Sequence, residues 1–540
     1  MSSGLGRASA LLASGTIVSR VLGFARSFVL TIVFLGQANI VGNALTVSNQ
    51  MPTSLYALIG GGLISAVLVP QTIRASRGAD GGVAYINKLV TIAVVMIGSL
   101  TVLLTIAAPL LMRLTVSDEA TYRAAVPFAY WAMPQIFFLG MYAVLGEVLN
   151  ARKRFGAYTW APVANNVVAI AVLALFLAVF GTVSPERTTA LPPAQTALLA
   201  GGTTLGLVVQ ALVLALVWRR AGLTFRPDLR WRGVGLRATG QAAGWTFAML
   251  VLTQAAGFLQ NYVATGASSA THPSSTALLN AWLLFMLPHS IITVSLATAF
   301  YPRMSEHAAE GRPDALRDDL SAVLRVTVIA MGVATVALLA AALPLTAVFS
   351  ESNRALTTAQ QAHAVAPVLV AYLIGLLPFT VLYVVQRCFY ALGDTRSPFR
   401  FTIAQLIVVV PGILLCVLLP HAWTATGIAA VISLGGIVQL VVAVVLLRRR
   451  LGPLLDPHLA GALRRLAAAG LPALAAGLLT LWTIGGFGDG WPVASRLGGA
   501  LGAVLVGAVC VLVYLAVLAA LRAPEISMAT GLVRSRLHRP

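Results

Sequence analysis

Apolar segments of bilayer-spanning length recur along the whole chain, and that recurrence leaves few folds open. A helix needs about 20 apolar residues to cross a membrane. On that ruler the 540 residues read as spans near 9–36, 41–70, 85–111, 123–149, 158–180 and 194–218. Further spans fall near 238–264, 276–302, 322–348, 362–392, 398–419 and 424–447, and a last pair near 464–485 and 496–521. With 59% hydrophobic and 10% charged residues, the chain has more apolar surface than a water-soluble core could hide. The expected class is an all-α membrane protein of about fourteen helices. Its organisation reads as an N-lobe (1–222), a basic linker with a C-lobe (223–450), two C-terminal helices (451–524) and a tail (525–540).

The formal charge of +20 does not point to nucleic acid, because the basic residues sit in short clusters between apolar runs. They read as topology signals. One side of the map collects Arg7, Arg74, Arg77, Lys88, Arg152, Lys153, Arg154, the linker arginines, Arg303, Arg312, Arg317, Arg325, Arg396, Arg400, Arg448 to Arg450, Arg464, Arg465 and the tail. The other side holds Arg113, Arg123, Arg187, Arg354 and Arg496. This asymmetry predicts an inner-membrane protein with both termini cytoplasmic. The first apolar run is long and interrupted by Arg20 and Arg26, so it is expected to remain as a helix rather than leave as a signal peptide.

The two sets of six spans look like copies. The second helix of each is bounded by prolines, Pro52 and Pro70 in one and Pro288 and Pro302 in the other, and the joints VLNARKRFGAY and RCFYALGDTRSPF each pass through a short basic turn. Duplicated halves around a substrate site are a common transporter plan, although prolines at ordinary helix ends give the same pattern.

Enzyme signatures such as GxxxxGK[ST], HExxH and GxSxG are absent, and the expectation is a transporter with no cofactor. The histidines are scattered and the three cysteines lack CxxC spacing, so no metal site is expected. Arg20 and Arg26 carry the chemistry, because ionisable residues inside a span usually face a protein interior or a wet cavity. They either snorkel to the interface or bind an anion, a task that suits the planar guanidinium fork. Six residues place them about 9 Å apart along an ideal helix and about 120° apart around it. A bend at Gly23 would bring them together, and Gly60, Gly61 and Gly62 form a second candidate hinge unless they serve close packing.

All sixteen acidic residues map to loops or helix ends, the deepest being Glu147. That distribution argues against an ordinary cation-coupled drug antiporter and leaves coupling to membrane potential or a monovalent ion open. Amides populate the spans, and most read as ties between helices. Asn43, Asn49 and Asn280 are the candidates to face a polar headgroup. Arg387, late in the tenth span, is either an interface arginine or a cytoplasmic gate.

The segments SRVLGFAR (19–26), Pro52 followed by a glycine cluster and LVP (68–70), NAWLLFMLPHSIITVSLATAFYPRMS (280–305) and FYALGDTRSP (389–398) resemble those of the MurJ/MviN lipid II flippases over essentially the whole length. The resemblance implies the multidrug, oligosaccharidyl-lipid and polysaccharide exporter plan: two six-helix lobes around a central cavity, with two extra helices shaping a groove for a lipid tail. It also implies export of an undecaprenyl-diphosphate-linked peptidoglycan precursor by alternating access, Arg20 and Arg26 holding the diphosphate, with membrane lipids and cell-wall synthesis proteins as partners. The chain departs from the family pattern at Ser27, Asn43 and Gly61, which align with acids, and at Tyr56 and Leu283, which align with arginines. Rival readings are an exporter of another polyprenyl-linked glycan or of a drug-like substrate, and a non-transporting scaffold for cell-wall enzymes.

Overall fold

The computed structural model describes residues 2–59, 83–152, 155–187, 190–229 and 236–524. These residues form helices and connecting loops. Thirteen helical stretches are long and apolar enough to cross a membrane. The second expected span, 41–70, lies partly outside the described residues. Its described part, Ile40–Ile59, is helical but is not among the thirteen, because Asn43, Ser48, Asn49 and Gln50 dilute its apolar content.

Clustering of contacts gives two compact units, the first comprising Met1–Phe34 and Asn39–Ala270, the second Leu35–Ala38 and Thr271–Pro540. The first unit contains α1 (Ser2–Val33), α2 (Ile40–Ile59), α3 (Val83–Ile106), α4 (Ala108–Thr115), α5 (Glu119–Ala132), α6 (Gln135–Ala151), α7 (Phe155–Phe180), α8 (Gly202–Trp218) and α9 (Leu236–Gly266). The sequence division places α9 in the C-lobe, whereas its packing is on α2 and α4 of the first unit. The second unit contains α10 (Ser275–Pro288), α11 (Val294–Ala309), α12 (Pro313–Ala340), α13 (Ala342–Val348), α14 (Thr358–Ile374), α15 (Leu376–Ala391), α16 (Arg396–Leu415), α17 (His421–Leu451), α18 (Pro457–Thr483) and α19 (Arg496–Ala520). Large apolar side chains such as Leu216, Ile407, Leu471 and Val504 are mostly exposed. Lipid is the solvent that makes such a surface stable.

Several expected spans are broken before they end, and the breaks repeat between units. The third span changes helix at Ala107 and the ninth at Ala341, each followed by a proline, Pro109 and Pro344. The fourth span breaks at Met133 and Pro134 and the tenth at Gly375. A carbonyl freed inside a bilayer needs a new donor. In the first unit the Thr204 hydroxyl of α8 donates to the Trp131 carbonyl at 2.7 Å. In the second, the Gly375 N–H bonds to Tyr372 and leaves the Ala371 carbonyl to the Ser433 hydroxyl of α17, at 2.6 Å. Prolines also meet π-helical turns, at Ala197–Gly201 after Pro193 and at His289–Thr293 after Pro288; such turns accommodate a broken ladder.

On the basic side of the second unit, two buried carboxylates fix helix ends. Asp319 accepts from Arg303 at 2.7 Å and ties α12 to α11. Asp394, only 8% exposed, accepts from the Ser397 hydroxyl at 2.6 Å, from the N–H groups of Ser397 and Arg396, and pairs with Arg450 of α17 at 2.8 Å. Burial pushes this carboxyl up, but the bonds from Ser397, the Arg450 charge and the Arg396 N–H outweigh it and hold it below the usual carboxylate range. A depressed carboxyl stabilises the fold above its ordinary value, about 3.9, and loses that contribution as pH falls through the folded value. Thermal unfolding of the purified protein at stepwise lower pH should therefore show a stability loss in acid that is smaller in Asp394→Asn. An unchanged acid limb in that variant would refute the assignment.

Candidate functional site

The candidate site is built on α1, which runs as one helix through Arg20, Gly23 and Arg26. Its main neighbour in the first unit is α7. Two observations fix the contact face. A methyl on Gly15 would collide with Thr159, and the Asn166 amide donates to the Ser19 carbonyl at 3.0 Å. Arg26 lies seven residues beyond Ser19, which at about 100° per residue brings it back to within about 20° of the same face. Arg20, one residue past Ser19, turns about 100° away and is exposed. The two arginines do not converge on one face of the helix. Gly23 has no atom within 4 Å of where a methyl would stand, so close packing does not require it, and the other candidate hinge glycines, Gly60 to Gly62, lie outside the described residues.

Arg26 is half-buried, and among the described residues it makes no hydrogen bond or ion pair. An unpaired cation inside a membrane helix is costly unless water or an anion reaches it. Its fork is thus available to a phosphate, which accepts in pairs.

The amides are organised differently. Asn43 is fully buried and donates to Ser268 at 2.8 Å; Asn261 donates to Gln50 at 3.0 Å and Gln254 to the Ser54 carbonyl at 2.6 Å. These three bonds form an antiparallel polar ladder between α2 and the segment of α9, the first rung reaching Ser268 two residues past the end of α9, and the first two rungs are seven residues apart on both sides. Asn49 points the other way, accepting from Gln135 of α6 at 3.0 Å and from Thr203 of α8 at 3.1 Å. Gln135 stands directly after the break at Pro134. In the second unit, Asn280 is buried and donates to Gln37 at 3.1 Å. Each of the three candidate headgroup contacts thus has one polar atom engaged by a protein partner in this structure.

Arg387 of α15 is held by tyrosines, donating to the Tyr383 hydroxyl at 2.7 Å and lying 5.0 Å from the Tyr383 ring centroid and 5.6 Å from that of Tyr301. It closes an aromatic column that runs from Trp282 and Phe285 through Phe379 and His289 to Tyr383. Sequence reading gives no sign of this column, because its members alternate between two helices about 90 residues apart. A cavity of about 470 Å³ at the end of α7, lined by Phe176, Phe180, Arg187 and Gln195 among others, includes none of the predicted residues. Among the described residues no cluster of His, Cys, Asp and Glu could hold a metal ion.

The model of one protein family, described as lipid II flippase MurJ, matches residues 33–498. A protein of Synechocystis sp. named as a probable lipid II flippase MurJ is 25% identical over 409 residues, 74% of each chain. Among solved structures, a lipid II flippase MurJ in an inward closed conformation superposes with a TM-score of 0.69 at 16% identity, covering 93% of this chain and 98% of the other. An inward-facing multidrug resistance transporter of the MATE family gives 0.63 at 17% identity, over 81% and 95%. At such identities the two structures speak to the fold.

Proposed function

The chain belongs to the lipid II flippase MurJ family, transporters rather than enzymes, and from that premise we propose that Arg26 grips the diphosphate of lipid II as the chain moves it from the inner to the outer leaflet by alternating access. The observation that carries this reading is the half-buried guanidinium of Arg26 with no protein partner among the described residues. A diphosphate offers the paired anionic oxygens that such a fork recognises. Arg20, exposed on another face, is a secondary contact that meets the headgroup on entry. The charge asymmetry of the loops supports an inner-membrane location with cytoplasmic termini, and peptidoglycan synthesis is the process served. Membrane potential supplies about 2.3 kcal/mol per charge per 100 mV, enough to bias a step that moves even one net charge.

The departures at Tyr56 and Leu283 favour one second reading, a different polyprenyl-linked glycan as cargo. The purified protein reconstituted in vesicles separates the two. Fluorescent lipid II should cross the bilayer at least tenfold faster than in empty vesicles, and native mass spectrometry should find a diphosphate-linked lipid carrying the peptidoglycan headgroup. Co-purification of a polyprenyl lipid with another glycan, without movement of lipid II, would select the second reading.

A further inference from the structure

The connection from α7 towards α8 borders the cavity of about 470 Å³ at the end of α7, a volume within the range of about 300–1,000 Å³ typical of small-molecule sites. Its backbone is fastened at several points. Gly181 ends α7 with φ +72°, a left-handed turn that glycine adopts without strain. Two residues on, the Val183 N–H bonds to the Val33 carbonyl at 2.7 Å. The buried Asn39 amide donates to the Val183 carbonyl at 3.2 Å and to the Phe34 carbonyl at 2.9 Å. Both polar groups of the Val183 backbone are thus tied to the junction of α1 and α2. The Arg187 N–H bonds to the Ser184 carbonyl at 3.2 Å, and its guanidinium donates to the Ala190 carbonyl at 3.3 Å. The Thr196 hydroxyl closes the return by donating to the Leu191 carbonyl at 3.2 Å. Long connections held in a fixed shape are where binding residues concentrate.

The cavity lining combines two chemistries. Phe176 is buried and Phe180 is 39% exposed, with ring centroids 5.4 Å apart, so an aromatic surface is presented. Beside it stand the exposed Ser184 and Glu186 and the half-buried Arg187 and Gln195. A lipid tail has no use for a carboxylate, a guanidinium and an amide, and a bare anion has no use for aromatic rings or a neighbouring acid. A sugar uses both kinds of group: its C–H face packs on a ring, and its hydroxyl and acetamido groups exchange hydrogen bonds with amides and hydroxyls. The arginine fork matches a carboxylate in pairs, and a glutamate accepts from an amine. From this combination we propose that the cavity is a second binding site, one for a glycopeptide. Its sugar ring lies on Phe180 and bonds to Gln195, a peptide carboxylate meets Arg187, and an amine meets Glu186. The cavity is on the arginine-poor side of the chain, the outer side in the topology that the loop charges support. The proposal rests on the flippase reading only for the source of the ligand, the glycopeptide headgroup that lipid II presents after crossing.

The test uses the full chain in nanodiscs with two soluble probes, a lipid-free N-acetylglucosaminyl-N-acetylmuramyl pentapeptide bearing a free side-chain amine, and diacetylchitobiose, a neutral disaccharide. Saturation-transfer NMR should show contact from the protein to the sugar protons of both. Phe180→Ala should weaken both probes about tenfold. Arg187→Gln should weaken the pentapeptide probe about tenfold or more, the loss expected for one charge-assisted contact, and leave the disaccharide unchanged. Ser184→Trp fills the cavity, keeps the backbone carbonyl that Arg187 bonds to, and should abolish both signals. If Arg187→Gln lowers the unfolding temperature through the lost Ala190 contact, Ser184→Trp and Phe180→Ala carry the test. No transfer in the parent, or transfer undiminished in Ser184→Trp and Phe180→Ala, overturns the proposal. Competition by lipid II in the same nanodiscs supports the site and identifies the carried headgroup as its ligand, whereas cavity-dependent binding without competition supports the site for released cell-wall fragments. Cavity-dependent binding in a chain that moves no lipid II in vesicles would keep the site and reject the flippase reading.

Discussion

Arg26→Ala is expected to abolish growth of flippase-depleted cells that depend on this chain, while the protein is still made and inserted. The alanine removes a guanidinium that has no intramolecular partner among the described residues, so little folding energy goes with it. A lone buried charge is usually a burden on stability, and its removal can leave the unfolding temperature unchanged or raised. Binding behaves in the opposite way. Removing one partner of a desolvated charge pair costs about 2–5 kcal/mol, equivalent to roughly 30-fold or more in affinity, because the diphosphate is left in a site without its counter-charge. Arg26→Lys should fall between, since the ammonium restores charge but not the bidentate fork. Arg20→Ala should be milder than either, because Arg20 is exposed and on a different face of α1. The measurements are complementation, membrane abundance and retention of co-purified lipid. Full growth with Arg26→Ala at normal abundance would remove the diphosphate grip and leave the family assignment standing alone.

Span positions were legible because the bilayer imposes one length on every helix, and that length is written directly in runs of Leu, Val, Ala and Ile. Arg26 was legible for the same reason, as a charge where lipid forbids one. The breaks inside spans were not. Pro127 sits within α5 and Pro134 ends it, so residue type does not decide. The Thr204 hydroxyl, 73 residues away, decides by capping the open carbonyl. The amide ladder was hidden for a related reason: Asn43 and Ser268 are 225 residues apart, and a long-range polar pair leaves no periodicity in either segment. Asn43, Asn49 and Asn280 therefore read equally well as headgroup contacts or as ties.

Gly375→Ala should be among the most destabilising single-methyl substitutions in the second unit. The tenth span breaks at this residue, and the added methyl would stand 2.7 Å from the Ser433 hydroxyl, 2.9 Å from its Cβ and 3.0 Å from its Cα. A flexible side chain could swing away, but Ser433 Cα belongs to the backbone of α17, so relief requires α14 and α17 to part. Overpacking of that kind costs about 1–3 kcal/mol. Moving α17 also withdraws the Ser433 hydroxyl from the Ala371 carbonyl, and a backbone carbonyl left without a donor adds about 1–3 kcal/mol. Ser433→Ala isolates the second contribution, since it deletes the hydroxyl and adds no bulk, and it should lower stability by less than Gly375→Ala does. Thr204→Val tests the matching position in the first unit, where the Trp131 carbonyl would lose its donor in the same way. Thermal unfolding in detergent, followed by the monodispersity of the fluorescently tagged protein, checks all three. If Gly375→Ala proves as stable as the parent, the close approach of α14 to α17 is wrong. If Ser433→Ala and Thr204→Val differ widely in cost, the equivalence of the two breaks fails, and with it the strongest structural argument that the two units descend from one repeated pattern.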